Sequence, residues 1–374
     1  MRFKIGVIGA TGFIGTPYRR EIRGAGEGGK IMALCARRRE PLEAAAKEDD
    51  CDFITDNWKD VVQHPEVNLV LILTPDALHF EAAMASAEAG KHLFCDKPVG
   101  VDASQAYKIW SAYRETRLAH YVPYWARYEP AFLRARQIIS EGTLGEIRGI
   151  VYSWRNPRPI AMPFTWRDDA TLSAGGSIAD VGSHAYDAVR WLTGLEAKRV
   201  LTHGDVISPA KPDLGSINLA EALDWGNSHS TDQAKTRKGT AFDYAAISWE
   251  FGNGAVGSLT VTHASVFRKG LTPEIEIHGT KASLALDRIH GTIGIVNDGE
   301  SEPLVEEVKA PRPINRWGDN VFPALESRLD GRGSDQPGLF EGYRVQVFTD
   351  AAAESARRGA WVELSEVDPA ATTA

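Results

Sequence analysis

Cysteine is scarce in this chain, with three residues (Cys35, Cys51 and Cys95) among 374. An odd number cannot complete a disulfide framework, and Cys35 and Cys95 sit in or beside apolar runs. Buried, reduced thiols of a cytoplasmic protein are therefore expected. No apolar stretch approaches the length of a membrane span, which argues against a membrane protein. Met1-Arg2-Phe3-Lys4 runs straight into an apolar strand, leaving no room for a signal peptide. Positive charge is also in short supply. The net charge is −8, and no Lys/Arg run extends beyond Arg37-Arg38-Arg39, which argues against a nucleic-acid partner.

What is present is the composition of a globular protein, 43% apolar and 25% charged, at a length that holds two domains. Ten tryptophans are many for this length, and five of them (Trp110, Trp125, Trp154, Trp166 and Trp191) fall in one quarter of the sequence. Their ordinary use is core packing, but a cluster also offers flat faces on which a sugar ring can lie.

The first 122 residues alternate strand and helix. Phe3–Ile8 reads as a strand and Gly9-Ala10-Thr11-Gly12-Phe13-Ile14-Gly15 as a turn, with a helix over 16–23. A strand over 31–36, a helix over 41–47, a strand over 69–73, a helix over 78–89 and a strand over 92–95 follow. This pattern predicts a doubly wound parallel sheet. Glycines at that turn let backbone amides approach a pyrophosphate at a helix N-terminus, so Gly9, Thr11, Gly12, Phe13 and Ile14 are candidate dinucleotide contacts. The second strand usually ends in an acid that binds the ribose hydroxyls of NAD. Here Ala36-Arg37-Arg38-Arg39 stands at that place, and guanidinium groups suit the 2′-phosphate of NADP. NADP is expected, with NAD as the alternative. The glycine spacing also occurs in short-chain dehydrogenases, but none of the ten tyrosines has the lysine four positions later that such enzymes use.

Gly175-Gly176-Ser177-Ile178-Ala179-Asp180 opens a second informative segment. Ser177 is expected to cap a helix on which Asp180 and His184 share one face. A carboxylate beside an imidazole makes a general base that works near neutral pH. Asp187, on the same face, is open to either a substrate contact or a structural one. No cluster with zinc-like spacing accompanies them, so no metal is expected.

Three segments together, Leu73-Thr74-Pro75-Asp76-Ala77-Leu78-His79, Ala89-Gly90-Lys91-His92-Leu93-Phe94-Cys95-Asp96-Lys97-Pro98 and Gly175–Asp187, resemble the glucose-fructose oxidoreductase / inositol dehydrogenase (Gfo/Idh/MocA) family. Trp166-Arg167, Phe251–Ala255, Glu274–Lys281 and Phe340–Arg344 extend the resemblance nearly end to end. It implies an N-terminal Rossmann domain (1–122) and a C-terminal α+β substrate and oligomerisation domain (123–374). The latter would carry an open, mostly antiparallel sheet and a helix near 340–358. By position, Lys97, Asp180 and His184 match the family's catalytic set, and Thr74, Pro75, His79, Asp96, Lys97, Trp166 and Arg167 match cofactor-lining positions. The chain departs from the family's pattern at Asp96, where Glu is usual, at one extra residue in the glycine turn, and at Trp125, where a polar residue is more common.

The chemistry so implied is hydride transfer at a secondary hydroxyl. His184 accepts the proton, Asp180 orients or stabilises its ring, and Lys97 stabilises the alkoxide. From about residue 123 a helix (130–140) and strands (147–154, 200–203, 244–251, 255–264, 274–277) suggest the second domain, with a long polar loop over 204–239. Substrate candidates are Lys97, Tyr124, Trp125, Trp154, Arg155, Asp180, His184 and His263, with Arg127, Arg158, Trp166 and Arg268 nearby in sequence or pattern. The resemblance points to a sugar, anhydrosugar, cyclitol or glycoside as substrate and to a homodimer or homotetramer. A redox-assisted glycosidase, needing the same three residues, is the alternative. A silent dinucleotide sensor is a third reading, which the intact set opposes.

Overall fold

A computed structural model of the chain describes residues 2–173, 175–215, 217–230, 235–269, 273–310 and 313–371. It divides into two compact units. One comprises Met1–Pro123, Ser216–Glu221 and Pro313–Arg344, the other Tyr124–Gly215, Ala222–Arg312 and Val345–Ala374.

The first unit is built on strands β1 (Phe3–Ile8), β2 (Gly29–Cys35), β3 (Phe53–Thr55), β4 (Leu69–Ile72), β5 (His92–Cys95) and β6 (His120–Tyr121). All pair in parallel, in the order β3-β2-β1-β4-β5-β6. Helices α1 (Gly15–Gly24), α2 (Arg39–Asp49), α3 (Trp58–Gln63), α4 (His79–Glu88) and α5 (Ala103–Arg114) connect them. Leu69, Val70, Leu71 and Ile72 are all buried, as expected for a strand covered on both faces. The order reverses between β1 and β4, where doubly wound sheets bind nucleotides beyond their strand ends. The returning segment 313–344 completes the core. Trp317 stacks on Phe94 with centroids 4.9 Å apart, and Phe322 stacks on Phe3 at 5.6 Å. All three cysteines are free and buried, and burial pushes the Cys35 thiol up to about 11.

The second unit carries α6 (Pro130–Ser140), β7 (Ile147–Arg155), α7 (Ser177–Thr193), β8 (Ala197–Asp205), β9 (Lys211–Pro212), most of α8 (Leu219–Ser228, whose first three residues belong to the first unit), β10 (Thr236–Arg237) and β11 (Tyr244–Phe251). It continues through β12 (Val256–Thr262), β13 (Ile275–Gly279), β14 (Ala282–Asp287), β15 (Thr292–Asn297) and β16 (Leu304–Glu307). Helix α9 (Phe322–Leu329) belongs to the returning segment of the first unit, α10 (Leu339–Arg358) begins there and continues into the second, and β17 (Val362–Glu363) is the last strand. Nine strands form one sheet in the order β16-β15-β14-β13-β7-β12-β11-β8-β17. Only β7 and β12 pair in parallel among the described residues, so the sheet is mostly antiparallel. Alternation sends Ile150, Tyr152, Leu259, Val261, Ile247 and Trp249 to the buried face, against which α7 packs. Among the described residues no helix is long and apolar enough to cross a membrane.

Two expectations are corrected. The polar stretch 204–239 is not a bare loop: α8 and the short β9–β10 pair lie within it. Ser177 does not cap α7. Gly176 takes that place with φ 59°, a left-handed conformation, and a Cβ there would meet the Phe242 carbonyl at 2.1 Å. The Ser177 amide instead donates to that same carbonyl.

Asp187 is resolved as structural. It is fully buried and receives a bidentate pair of hydrogen bonds from Arg127 at 2.8 and 2.6 Å. Removing one partner of such a pair strands a buried charge. Asp187→Ala should therefore cost about 3–5 kcal/mol of stability, read as a drop in the denaturation midpoint.

A pH effect follows from His120. Its Nδ1 accepts the Leu339 amide at 3.2 Å, and burial together with the Arg328 charge pushes the imidazole down to about 3. Because the unfolded ring titrates near ~6.5, the unfolded chain takes up the proton first. This contribution is whole above pH ~6.5 and is lost progressively as pH falls toward the folded value. Between pH 8 and 5 the loss should be about 1–2 kcal/mol. His120→Asn keeps an acceptor but does not titrate, and should flatten the dependence of the denaturation midpoint on pH.

Candidate active site

The glycine turn after β1 is held tightly from behind. The amides of Gly9 and Ala10 both donate to the Cys35 carbonyl, at 2.9 and 3.0 Å. Gly9 has φ 90°, and a Cβ there would sit 2.5 Å from the Leu73 carbonyl oxygen. At Gly15 a Cβ would lie 2.3 Å from the Gly9 oxygen, so the start of α1 packs directly on the turn. Among the described residues the amides of Thr11, Phe13 and Ile14 donate to no acceptor in the protein. Three unused amides at a helix N-terminus fit a pyrophosphate, so the turn has the chemistry for a dinucleotide.

Arg19 fixes this turn, a part that sequence reasoning missed. It is 3% exposed, donates from Nε to the Ala10 carbonyl at 3.0 Å, and reaches Ala45 and Asp49 on α2. Nothing in the sequence distinguishes it from Arg20 except the periodicity of α1.

Ala36 follows β2, and the three arginines after it have different surroundings. Arg39 pairs with Glu43 one turn on, and Arg38 pairs with Glu221 at 2.8 Å. Arg37 is exposed and makes no ion pair among the described residues.

Beyond β4 and β5, Thr74, Pro75, Asp96 and Lys97 are all half-buried at strand ends. Asp96 accepts the Lys97 amide at 3.0 Å. His79 departs from its expected part. It is fully buried, and its two ring nitrogens lie 2.8 Å from the carbonyl oxygens of Thr74 and Pro98. With both nitrogens occupied it offers a ligand nothing. It holds the Thr74 turn against the turn that carries Lys97.

On α7 the burial pattern isolates two side chains. From Ser177 to Val189 every residue is buried except Asp180 and His184. Their spacing of one turn puts both on the single open stripe. His184 lies between aromatic rings. Trp154 stacks at 5.6 Å and Tyr124 meets it edge-on at 5.8 Å. Tyr124 itself is fully buried, which leaves it no surface for a substrate and makes it the support of the imidazole.

Asp180 is ringed by cationic and imidazole groups. Its carboxylate lies 3.5 Å from Arg158, 3.7 Å from Arg167 and 3.0 Å from His263 Nε2. The His263 contact is a close polar approach to the carboxylate. Burial and the Arg158 charge hold the His263 imidazole below its usual range, against the pull of Asp180. At neutral pH it is therefore an uncharged neighbour. At 5% exposure it stands behind Asp180 rather than facing a substrate. Arg158 also faces Asp168 at 3.8 Å, and Asp168 binds Lys211 at 2.5 Å. Asp168 was missed, although Thr165 and Asp168 have the spacing of a capping box, and the structure shows that reciprocal pair. Lys211 has no comparable signal.

The remaining candidates are spread unevenly. Arg167 lies over the Trp166 ring at 4.3 Å, which places both beside Asp180. Trp125 is half-buried against Tyr128, and Arg155 is half-buried at the end of β7. Arg127 is committed to Asp187, and exposed Arg268 bonds the Ser265 carbonyl. Among the described residues no group of three or more His, Cys, Asp or Glu side chains could hold a metal ion.

Comparison with known proteins agrees with this architecture. The family model described as "Oxidoreductase family, NAD-binding Rossmann fold" matches residues 3–124, and that of the "GFO/IDH/MocA C-terminal domain" matches 132–285. Levoglucosan dehydrogenase of Pseudarthrobacter phenanthrenivorans is 26% identical over 354 residues, 86% of each chain. Myo-inositol 2-dehydrogenase of Thermotoga maritima is 21% identical over 371 residues, 97% of this chain and 99% of its own. A solved structure of levoglucosan dehydrogenase in complex with NADH and L-sorbose superposes with a TM-score of 0.82 at 23% identity. It covers 97% of this chain and 99% of that one, which shows a shared fold. The two family models, adjoining along the sequence and set on the parallel and mixed sheets described above, establish that this chain belongs to the Gfo/Idh/MocA family of NAD-binding oxidoreductases.

Proposed function

We propose that this protein is an NADP-dependent dehydrogenase that transfers a hydride between the nicotinamide and a secondary hydroxyl of a sugar, anhydrosugar, cyclitol or glycoside. The observation that carries the reading is the stripe on α7, where from Ser177 to Val189 Asp180 and His184 alone escape burial. His184 is the proton acceptor, clamped by Trp154 and Tyr124 so that its ring keeps one orientation. Asp180, whose carboxylate faces Arg158 and Arg167, stabilises positive charge that develops on His184. Lys97 binds the substrate hydroxyl and stabilises the alkoxide as the proton leaves. The bound nicotinamide supplies the hydride chemistry.

Gly9, Gly12 and the free amides of Thr11, Phe13 and Ile14 hold the pyrophosphate, with Thr74, Pro75, Asp96, Trp166 and Arg167 lining the cofactor. NADP is favoured because Ala36 follows β2 where an acid would bind the ribose, and because Arg37 and Arg38 follow it. Trp125, Trp154 and Arg155 present aromatic and cationic surface to a hydroxylated ring. In this reading residues 1–122 serve the cofactor and 123–374 the substrate. Outward-facing Val151 and Val256, 46% and 54% exposed on adjacent strands β7 and β12, favour a homo-oligomer through the sheet. The free, buried thiols suit the reducing cytoplasm.

His184→Ala and Lys97→Ala should each lower kcat by about 10²- to 10⁴-fold, with an unchanged melting transition. Turnover like that of the wild type in either variant removes that residue from the catalytic set. Substrate and cofactor are tested together by incubating the purified protein with sugars, cyclitols, uronates and aryl glycosides, with NAD and NADP in separate reactions. Nicotinamide absorbance should rise with a hydroxylated ring and NADP. Aglycone release without net reduction would mark a redox-assisted glycosidase instead, and a clear preference for NAD would overturn the cofactor assignment.

A further inference from the structure

The acid missing after β2 returns from a distant part of the chain. Glu221 lies within the first unit, and its Oε1 is 2.8 Å from Arg38 Nη2. The two side chains are 41% and 45% exposed, so the pair is accessible to a competing ligand. Glu221 is also anchored from its own side. Its Oε2 accepts the Asn218 amide at 3.1 Å, while Asn218 Oδ1 accepts the Glu221 amide at 3.0 Å. This reciprocal capping box starts α8 and holds the carboxylate in place independently of Arg38. Burial pushes the Glu221 carboxyl up, but the bonds from Arg38 and the Asn218 amide outweigh it and hold the group ionised. The Arg39–Glu43 pair differs, being a local contact along one helix face.

We propose that Glu221 is a specificity-determining residue that competes with the 2′-phosphate of NADP for Arg38 and thereby sets how far the protein prefers NADP over NAD. The inference rests on Arg38 serving the 2′-phosphate, as argued under Proposed function. A guanidinium binds a phosphate through the same planar set of donors, one of which, Nη2, now meets the carboxylate. A 2′-phosphate must therefore displace Glu221 or share Arg38 against like-charge repulsion. The neutral ribose hydroxyl of NAD meets no such repulsion, and a carboxylate is the usual acceptor for it. Glu221 thus moderates a phosphate preference that the three arginines alone would make stronger.

Calorimetric titration of the full-length protein with NADP and NAD separates the terms. Glu221→Gln removes the charge and keeps an acceptor for the Asn218 amide. It should tighten NADP about fivefold, the scale of an exposed ion pair, and leave NAD within about twofold. The gain should vanish when Arg38→Ala is already present. Unchanged discrimination in Glu221→Gln, alongside weakened NADP binding in Arg38→Ala, overturns the competition and leaves the cofactor assignment standing. NADP binding in Arg38→Ala equal to that of the wild type overturns the role of Arg38, and the competition with it.

Discussion

A guanidinium taken out of water must bring carboxylates with it, and Arg158 imposes that constraint on the second unit. Only 8% of it is exposed, and it lies between Asp168 and Asp180. Asp168 in turn needs Lys211, and Asp180 draws in Arg167 and His263. Arg158, Asp168, Asp180 and Lys211 compensate one another, so deleting one of them leaves a poorly compensated charge in the low-dielectric interior. The chain crosses this network at residues 158, 168, 180, 211 and 263, which lie far apart in sequence. The same charges that bind those segments together hold Asp180 in place at the open stripe of α7. Stability and the placement of the Asp180 carboxylate are here one arrangement.

The first unit uses a different device for the same end. Its strand-end turns are held through backbone carbonyls rather than through opposed charges. Arg19 grips the Ala10 carbonyl behind the glycine turn, and His79 spans the carbonyls of Thr74 and Pro98. Carbonyls so engaged leave the amide side of the glycine turn turned toward a ligand. Buried polar side chains are thus what sets the shape of these two turns.

The strongly periodic elements were legible from sequence. Helix 130–140 and strands 92–95 and 244–251 fall where their patterns place them, because a single hydrophobic period decides each. The short β3 and β16 carried too few residues to be distinguished from loops. Helix α8 was hidden because its polar flanks dominate the 204–239 stretch. At the site, the spacing of Asp180 and His184 was visible because it is local to one helix. Their surroundings were not. Arg158, Asp168 and Lys211 meet through tertiary folding, and no spacing rule links them. The Ser177 expectation failed for another reason: the close approach of Phe242 admits only a glycine at 176, and backbone sterics outweighed capping preference.

The register of the nine-stranded sheet has a consequence for how the chain acquires its shape. Strand β8 lies one from the end, and its outer edge is covered by Val362 and Glu363, which pair with Val200 and Arg199. On the ribosome, the partner on one side, β11, emerges some forty residues after β8, whereas the partner on the other emerges only with residues 362–363. For most of synthesis, then, an edge with unpaired amides and carbonyls stands open to strands of neighbouring nascent chains. Arg199 and Lys198 lie along that edge, and their charge guards it against intermolecular pairing during the interval.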